Sequence, residues 1–219
     1  MALKIEQVST ASRFEQPTGE APAAVSVITS EEIAIYGHRT LADVLRSVRG
    51  LYVSYDRRYT YLGLRGFSRP SDYNSRLLVL VDGHRVNDNL FGGAFIGREF
   101  ILDVDLIDRV EVVRGPSSSL YGSTAFFGVV NVITKRAVDL QHVEVSGEAG
   151  SLDSYKGRFS CASTFERSGV EFVVSGSFYE SAGDRDLYFP EFDAPETNHG
   201  HAEDLDRERA ANLFASVRW

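Results

Sequence analysis

Two imidazoles and two carboxylates fall close together near the C-terminal end, at His199, His201, Glu203 and Asp204. These side chains bind zinc when rigid elements hold them in tetrahedral array. Their setting is a long hydrophilic stretch from Ser181 to Arg209, which offers neither rigid elements nor supporting hydrogen-bond partners for the ligands. The expectation is that no metal is bound there. Elsewhere the chain has no nucleophile elbow, phosphate-cradling loop or paired acid and base. No catalytic constellation is therefore expected, and the chain does not read as an enzyme or as the holder of a cofactor.

The bulk properties narrow the class further. At 219 residues, with 43% hydrophobic and 25% charged, this is ordinary folded protein of one or two domains. The formal charge of −8 excludes a nucleic-acid footprint, which draws on clustered Lys and Arg. Cys161 stands alone, so neither a disulfide framework nor a Cys-rich metal site is available. The first residues, MALKIEQVST, lack the apolar stretch of a secretory signal, as a chain begun near a mature terminus would. The longest aliphatic run, Leu77 to Val81, is far below the ~20 apolar residues of a membrane-spanning helix. Any membrane crossing must use strands.

The elements follow from local signals. Residues 1–23 mix Ser, Thr, Glu, Gln, Pro and Gly without periodicity and read as a flexible arm. Val25, Val27 and Ile28 make a strand; Ser30 is expected to cap a helical turn opening on Glu31 and Glu32 and ending at Gly37. Thr40 and Asp43 have capping-box spacing, and Leu41, Val44, Leu45 and Val48 form a helical stripe that Gly50 should stop. Strands are expected over 51–55, 61–65 and 77–81, and Asp82-Gly83 is a hairpin turn into 84–86. This makes a small α+β unit over 24–137.

Beyond it, Val143 to Ala149, Tyr155 to Phe165, Val170 to Phe178 and Leu213 to Trp219 alternate apolar with polar residues. Tight links at Ser151 to Ser154 and Glu166 to Gly169 contrast with the long one before the fourth segment. Antiparallel hairpins with one apolar face and alternating short and long connections are the pattern of a transmembrane barrel wall, here 138–219. Four strands cannot close a barrel, so the chain is expected to be part of a longer one.

Three segments carry a family likeness: LGLRGF (Leu62 to Phe67), LLVLVDGHRVND (Leu77 to Asp88) and VEVVRGPSSSLYGSTAFFGVVNVITK (Val110 to Lys135). Their order resembles the plug domain of TonB-dependent outer-membrane receptors. Each also has a local reason: Pro116 fixes φ at a turn, and Ser117 to Ser119 can cap a short helix. The resemblance implies an α+β plug, a small mixed sheet with short helices, followed by the first strands of an incomplete β-barrel. It implies a receptor of the Gram-negative outer membrane that imports a large scarce nutrient, a ferric siderophore, haem or cobalamin. The plug would sit inside the barrel and the N-terminal arm in the periplasm.

It further implies roles for particular residues. Plug loops facing outward would hold ligand: Asp56, Arg57, Arg58, Tyr59 and Tyr61 in one, Arg69, Asp72 and Tyr73 in the next, and Asn89, Phe91 and Arg98 in the third. Aromatic and cationic groups together suit a bulky, often anionic chelate, although exposed Arg and Tyr are also plain surface. Gln7, Val8, Ser9, Thr10 and Ala11 are similar to the TonB box, which pairs edge to edge with TonB, the partner energised by an inner-membrane complex; a disordered leader is the alternative. Arg65 and Arg114 would pair with glutamates of the barrel wall. Since the strands bearing those glutamates lie outside this chain, the two guanidinium groups are expected either exposed or against plug carboxylates. A second functional reading is a soluble module that binds ligand or TonB without transport.

Overall fold

All five side chains of Leu77–Val81 are buried in the computed structural model. A strand covered on both faces needs no polar alternation, which is why this run sits inside a sheet. The structure describes residues 7, 8, 10, 16–17, 24–68, 71–140, 142–165 and 167–219. They form two units, Met1–Lys135 and Arg136–Trp219.

The first unit contains β1 (Gln7–Val8), β2 (Gln16–Pro17), β3 (Ala24–Thr29), α1 (Ser30–Ile35), α2 (Leu41–Arg46), β4 (Leu51–Tyr55), β5 (Thr60–Leu64), β6 (Leu77–Val81), β7 (His84–Arg85), β8 (Ile107–Arg114), α3 (Ser118–Tyr121) and β9 (Gly128–Thr134). Five strands make one sheet in the order β3-β8-β9-β6-β7. β6 and β9 run parallel and the other neighbours antiparallel. β4 and β5 form a separate hairpin, as do β1 and β2. The mixed sheet with short helices expected from the sequence is therefore present.

The helices begin on reciprocal caps. At α2 the Thr40 hydroxyl accepts from the Asp43 N–H (3.1 Å), and the Asp43 carboxylate accepts from the Thr40 N–H (3.0 Å), as the spacing predicts. At α1 the cap is Thr29 and not Ser30. Thr29 has the extended backbone of a cap residue (φ −86°, ψ 161°), and Glu32 returns its carboxylate to the Thr29 N–H at 2.9 Å. α2 stops at Ser47, short of Gly50; Gly50 adopts φ +86° and turns the chain into β4, a conformation glycine reaches without strain.

Register fixes which side chains share a face. Leu78, Val129 and Val113 form one row and Leu80, Asn131 and Glu111 the next on the same face, because directly paired residues point the same way. Leu78, Leu80, Val113, Val129 and Ala125 pack as one core cluster, with Tyr121 against it. The opposite face carries Val79, Val130 and Val112, all buried.

The second unit is a four-stranded antiparallel meander: β10 (Val143–Gly150), β11 (Ser154–Phe165), β12 (Val170–Ser181) and β15 (Glu208–Arg218). The long segment before β15 is not an irregular loop, since it folds its own small hairpin, β13 (Asp186–Tyr188) with β14 (His201–Glu203). In the main sheet Val145, Phe159 and Leu213 share a face and are exposed, Leu213 at 81%. The other face holds Arg158, Ser160, Ala162, Val173 and Ser175, which are buried.

Candidate functional site

Where β5 meets the chain leading into β6, three tyrosines gather. The Tyr59 and Tyr73 rings meet edge to face at 5.0 Å, and Tyr61 lies 6.3 Å from Tyr73. The Arg58 guanidinium lies 5.5 Å from the Tyr59 ring centre. Asp56 shapes this loop by accepting from the Tyr59 and Arg58 N–H groups (2.6 and 2.9 Å) and the Tyr61 hydroxyl (2.9 Å). The Tyr59 N–H, foremost, holds the Asp56 carboxyl below its ordinary range, since donors to the ionised form favour it. Burial, and then the bond to Asp56, push the Tyr61 phenol up.

The tyrosines are held by a residue that sequence reasoning missed. Buried Asn74 accepts from the Leu62 N–H (2.8 Å) and donates to the Thr60 and Ala94 carbonyls (2.9 and 2.8 Å). It thereby ties all three candidate loops together. Asn87 does similar work, bonding the Leu77 and Gly92 carbonyls and the Val79 N–H, each at 2.9 Å. The signal for both was an amide flanking an aliphatic strand, where short polar side chains satisfy loop backbone. Asp88 folds the third loop by accepting from Leu90, Phe91 and Gly93. The Phe91 N–H, foremost, lowers its pKa. At Gly93 a side chain would strike the Asp88 carboxylate at 2.7 Å.

The predicted residues therefore divide. Asp56, Arg58, Tyr59, Tyr61 and Tyr73 come together, whereas Asn89 and Phe91 sit exposed on the tip that Asp88 folds. Arg57 is exposed, with its carbonyl accepting from the Tyr55 hydroxyl (3.0 Å). Asp72 serves its own turn through Ser75 and Arg76. Arg98 donates to the Arg39 carbonyl at 3.2 Å, beside α2. Arg69, Ser9 and Ala11 lie outside the described residues.

Arg65 is exposed, and its guanidinium donates to the Arg114 carbonyl (3.4 Å). Arg114 donates to the Arg49 carbonyl (2.8 Å), with its Nε buried and unpartnered. The acceptors are main-chain carbonyls and not plug carboxylates, a correction to one of the two alternatives. The two acceptors lie at separate points of the chain, Arg114 at the end of β8 and Arg49 just before β4.

The two histidines diverge. His199 pairs with Asp193 (3.2 Å) and His201 with Asp186 (2.9 Å). Among the described residues no three His, Cys, Asp or Glu side chains converge as metal ligands.

Two of the described residues in the expected arm are placed in the interior. Val8 and Thr10 are each only 1% exposed. The Thr10 N–H and hydroxyl both donate to Glu111 (3.0 and 2.5 Å). Asn131 donates to the Thr10 hydroxyl (3.1 Å), and the Tyr121 hydroxyl donates to the Thr10 carbonyl (2.9 Å). A single polar residue can thus be drawn from a hydrophilic leader into a core when every polar atom finds a partner.

The arm and the tyrosine loops meet β6 at different ends. Asn74 and Asn87 bond Leu77, at its start, while Thr10 is tied to Asn131, which pairs with Leu80 and accepts from the Gly83 N–H just past the strand end. Five residues of strand span roughly 16 Å.

Comparison with known proteins identifies this architecture. Residues 17–129, more than half the chain, match the family model of the TonB-dependent Receptor Plug Domain. The chain belongs to the TonB-dependent receptors. Over 216 residues the receptor chain is 37% identical to the vitamin B12 transporter BtuB of Vibrio vulnificus, covering 95% of this chain and 32% of that protein. It is also 37% identical over 133 residues to the iron-regulated outer membrane virulence protein of Vibrio cholerae, covering 59% of this chain and 20% of that one. Among solved structures, the ferric yersiniabactin uptake receptor FyuA from Yersinia pestis superposes with TM-score 0.66 at 22% identity, covering 98% of this chain and 30% of that one. The ferripyoverdine receptor of the Pseudomonas aeruginosa outer membrane gives TM-score 0.66 at 24% identity over 83% and 23%. At such identities these two speak to the fold. The plug and strands described here span between a fifth and a third of the length of these relatives, which are named as transporters, receptors or outer-membrane proteins and not as enzymes.

Proposed function

We propose that this chain forms the gate and first wall strands of an outer-membrane receptor that imports a large scarce chelate, a cobalamin, ferric siderophore or haem, with energy delivered through TonB. The observation that carries the reading is the division of β6, with the tyrosine-bearing loops at one end and the docked N-terminal arm at the other. A gate needs a ligand end and a coupling end joined through a rigid element, and a fully buried central strand supplies one.

The ligand end is formed by Tyr59 and Tyr73 with Arg58, backed by the buried Tyr61, and joined by Phe91 and Asn89 from the third loop. Such rings offer large rigid contact area with a polar edge. The coupling end is the segment of Gln7, Val8 and Thr10, with its neighbours, in the periplasm. The strand unit belongs in the bilayer, its exposed row of Val145, Phe159 and Leu213 facing lipid as an outer-membrane barrel wall requires. Arg65 and Arg114 meet glutamates of wall strands beyond this chain, which offers the unpartnered Arg114 Nε an acceptor.

The test is uptake and binding in a strain relying on the complete receptor, with labelled cobalamin and a ferric siderophore supplied separately. Replacing Tyr59 and Tyr73 together by Ala should weaken binding of the transported chelate by at least about tenfold, the size expected on losing aromatic anchors. Val8→Pro should abolish uptake and leave binding unchanged. Unchanged affinity in the tyrosine variant removes the ligand assignment, and normal uptake by the proline variant removes the coupling assignment.

A further inference from the structure

The chain passes from the first unit to the second through a link with no slack. Domain boundaries usually fall in flexible stretches rich in Gly, Pro and polar residues, yet Thr134 to Leu140 reads TKRAVDL. The Lys135 N–H donates to the Leu106 carbonyl and its Nζ to the Asp105 carbonyl, both at 2.8 Å, so the first unit holds its last residue twice. The very next side chain is anchored in the second unit. The Arg136 guanidinium reaches both oxygens of Glu171 on β12, one through Nη2 and the other through Nε (3.2 Å). One peptide bond separates the two anchors.

Glu171 is 9% exposed, and a sheltered carboxylate needs donors around it. The link supplies them, since the Ala137 N–H donates to the same carboxylate as Arg136. A single helical turn, Ala137–Asp139, follows, and the Asp139 carboxylate closes it by accepting from the Arg136 N–H (2.9 Å). Ala137 and Leu140 are buried, and the turn lies against β11 and β12. The His142 carbonyl then accepts from the Ala162 N–H of β11 at 3.0 Å. An exposed ion pair held by one contact is worth little, whereas a two-pronged guanidinium on a sheltered carboxylate fixes geometry as well as charge.

We propose that Arg136 and Glu171 form a mechanical clamp that fastens the exit of the plug to β12, so that a pull on the plug spends itself before the wall strands are loaded. The inference rests on the reading of the plug as a gate moved by force through TonB. The choice of strand matters. β12 is paired along its length with β11 on one side and β15 on the other, so a load on Glu171 is shared by two ladders. Without the clamp the load runs on to Val143, the first residue of β10, which among the described residues is paired with β11 alone. A strand loaded at its end against a single ladder peels one pair at a time.

The clamp is tested on the complete receptor in a supported bilayer, pulled by force microscopy from a cysteine at position 16 (Gln16→Cys) in a Cys161→Ser background. The parent should show a force peak at the contour length of Arg136. In Arg136→Ala that peak should vanish, and the next resistance should come at Val143, about 25 Å of extended chain further on. Glu171→Gln should lower the peak. Arg136→Lys, which keeps the charge and loses the fork, should give a weaker peak at the unshifted length, the sign of a wall that still assembles. A peak of unchanged force and position in both Arg136→Ala and Glu171→Gln overturns the clamp.

A second measurement asks whether TonB loads it. Ala137→Cys, in the same Cys161→Ser background, is labelled with maleimide in cells. Labelling should be slow in that protein, and adding Glu171→Gln should raise it at least about tenfold, as befits a lost charged hydrogen bond, only where TonB is present. A rise that is equal with and without TonB, alongside a lowered force peak, keeps the clamp and overturns the force-driven gate on which its role rests.

Discussion

The plug sheet buries its apolar rows and admits a polar pair only where partners surround it, whereas the meander of the second unit exposes its apolar rows and covers its polar ones. In the first, Leu78, Val113 and Val129 are sealed and Glu111 is fully bonded. In the second, Val145 is 78% exposed, while Arg158 is buried with bonds to Glu144 (3.2 Å) and Ser160 (2.5 Å), and Ser160 bonds Ser175 (2.8 Å). Both sheets use period-two alternation, so the pattern alone does not say which face is the inside. In the proposed setting the surroundings decide, water for one unit and hydrocarbon for the other.

The largest expected effect tests this contrast directly. Leu78→Ala should destabilise the plug by about 2–5 kcal/mol through lost burial and a residual cavity. The same truncation at Leu213 should cost well under about 1 kcal/mol in the bilayer, because no cavity forms against fluid lipid. Calorimetric unfolding of the receptor in lipid measures both, and equal costs would erase the distinction.

A smaller effect sharpens it at the tyrosine loops. Asn74→Ala leaves the Leu62 N–H and the Thr60 and Ala94 carbonyls without their amide partner, at about 1–3 kcal/mol for each buried group that water fails to reach. The loss should appear as faster amide exchange at Leu62 and weaker chelate binding, with the strand unit unaltered. Exchange that spreads equally into β11 and β12 would contradict a local role for Asn74.

The smallest effect is set by pH. The Phe91 N–H, with those of its neighbours, holds the Asp88 carboxyl below its ordinary value. A folded-state pKa below the unfolded one gives a stabilisation that is complete above the ordinary carboxylate range near about pH 4 and is lost as pH falls through the depressed value. Amide exchange at Leu90, Phe91 and Gly93 should therefore quicken only below about pH 4, and Asp88→Asn should abolish that dependence. Among the described residues, the tight turns of the strand unit are held by Ser168 and by an Arg185–Asp153 pair instead of by a carboxylate that gathers several N–H groups, so they should show no matching step.

Much of this was legible in the residues. The Thr40–Asp43 box, the Asp82-Gly83 hairpin, the buried run Leu77 to Val81 and the four alternating segments all lie in the structure where local rules put them. Short-range rules misjudged the α1 cap, because Thr29 and Ser30 are equally able to cap and only the backbone conformation chooses between them. They also misjudged the end of α2 and the stretch before β15, where β13 and β14 pair across an intervening turn. In the candidate site, the tyrosines were named but not their grouping, and Asn74 and Asn87 were not named at all, since their partners lie on other loops.

The sequence by itself determined the main strands, the Thr40 cap, the Asp82-Gly83 turn and the membership of the receptor family, because those depend on side-chain period and on hydrogen bonds that close over three or four residues. Only the tertiary structure decided that Thr10 meets Glu111, 101 residues away, that Tyr59 meets Tyr73, and that Thr10 and the tyrosine loops are tied to opposite ends of one strand. Contacts of that separation carry no local signature: they exist only once the sheet register has been fixed and the chain entropy of closing long loops has been offset by the burial of the core.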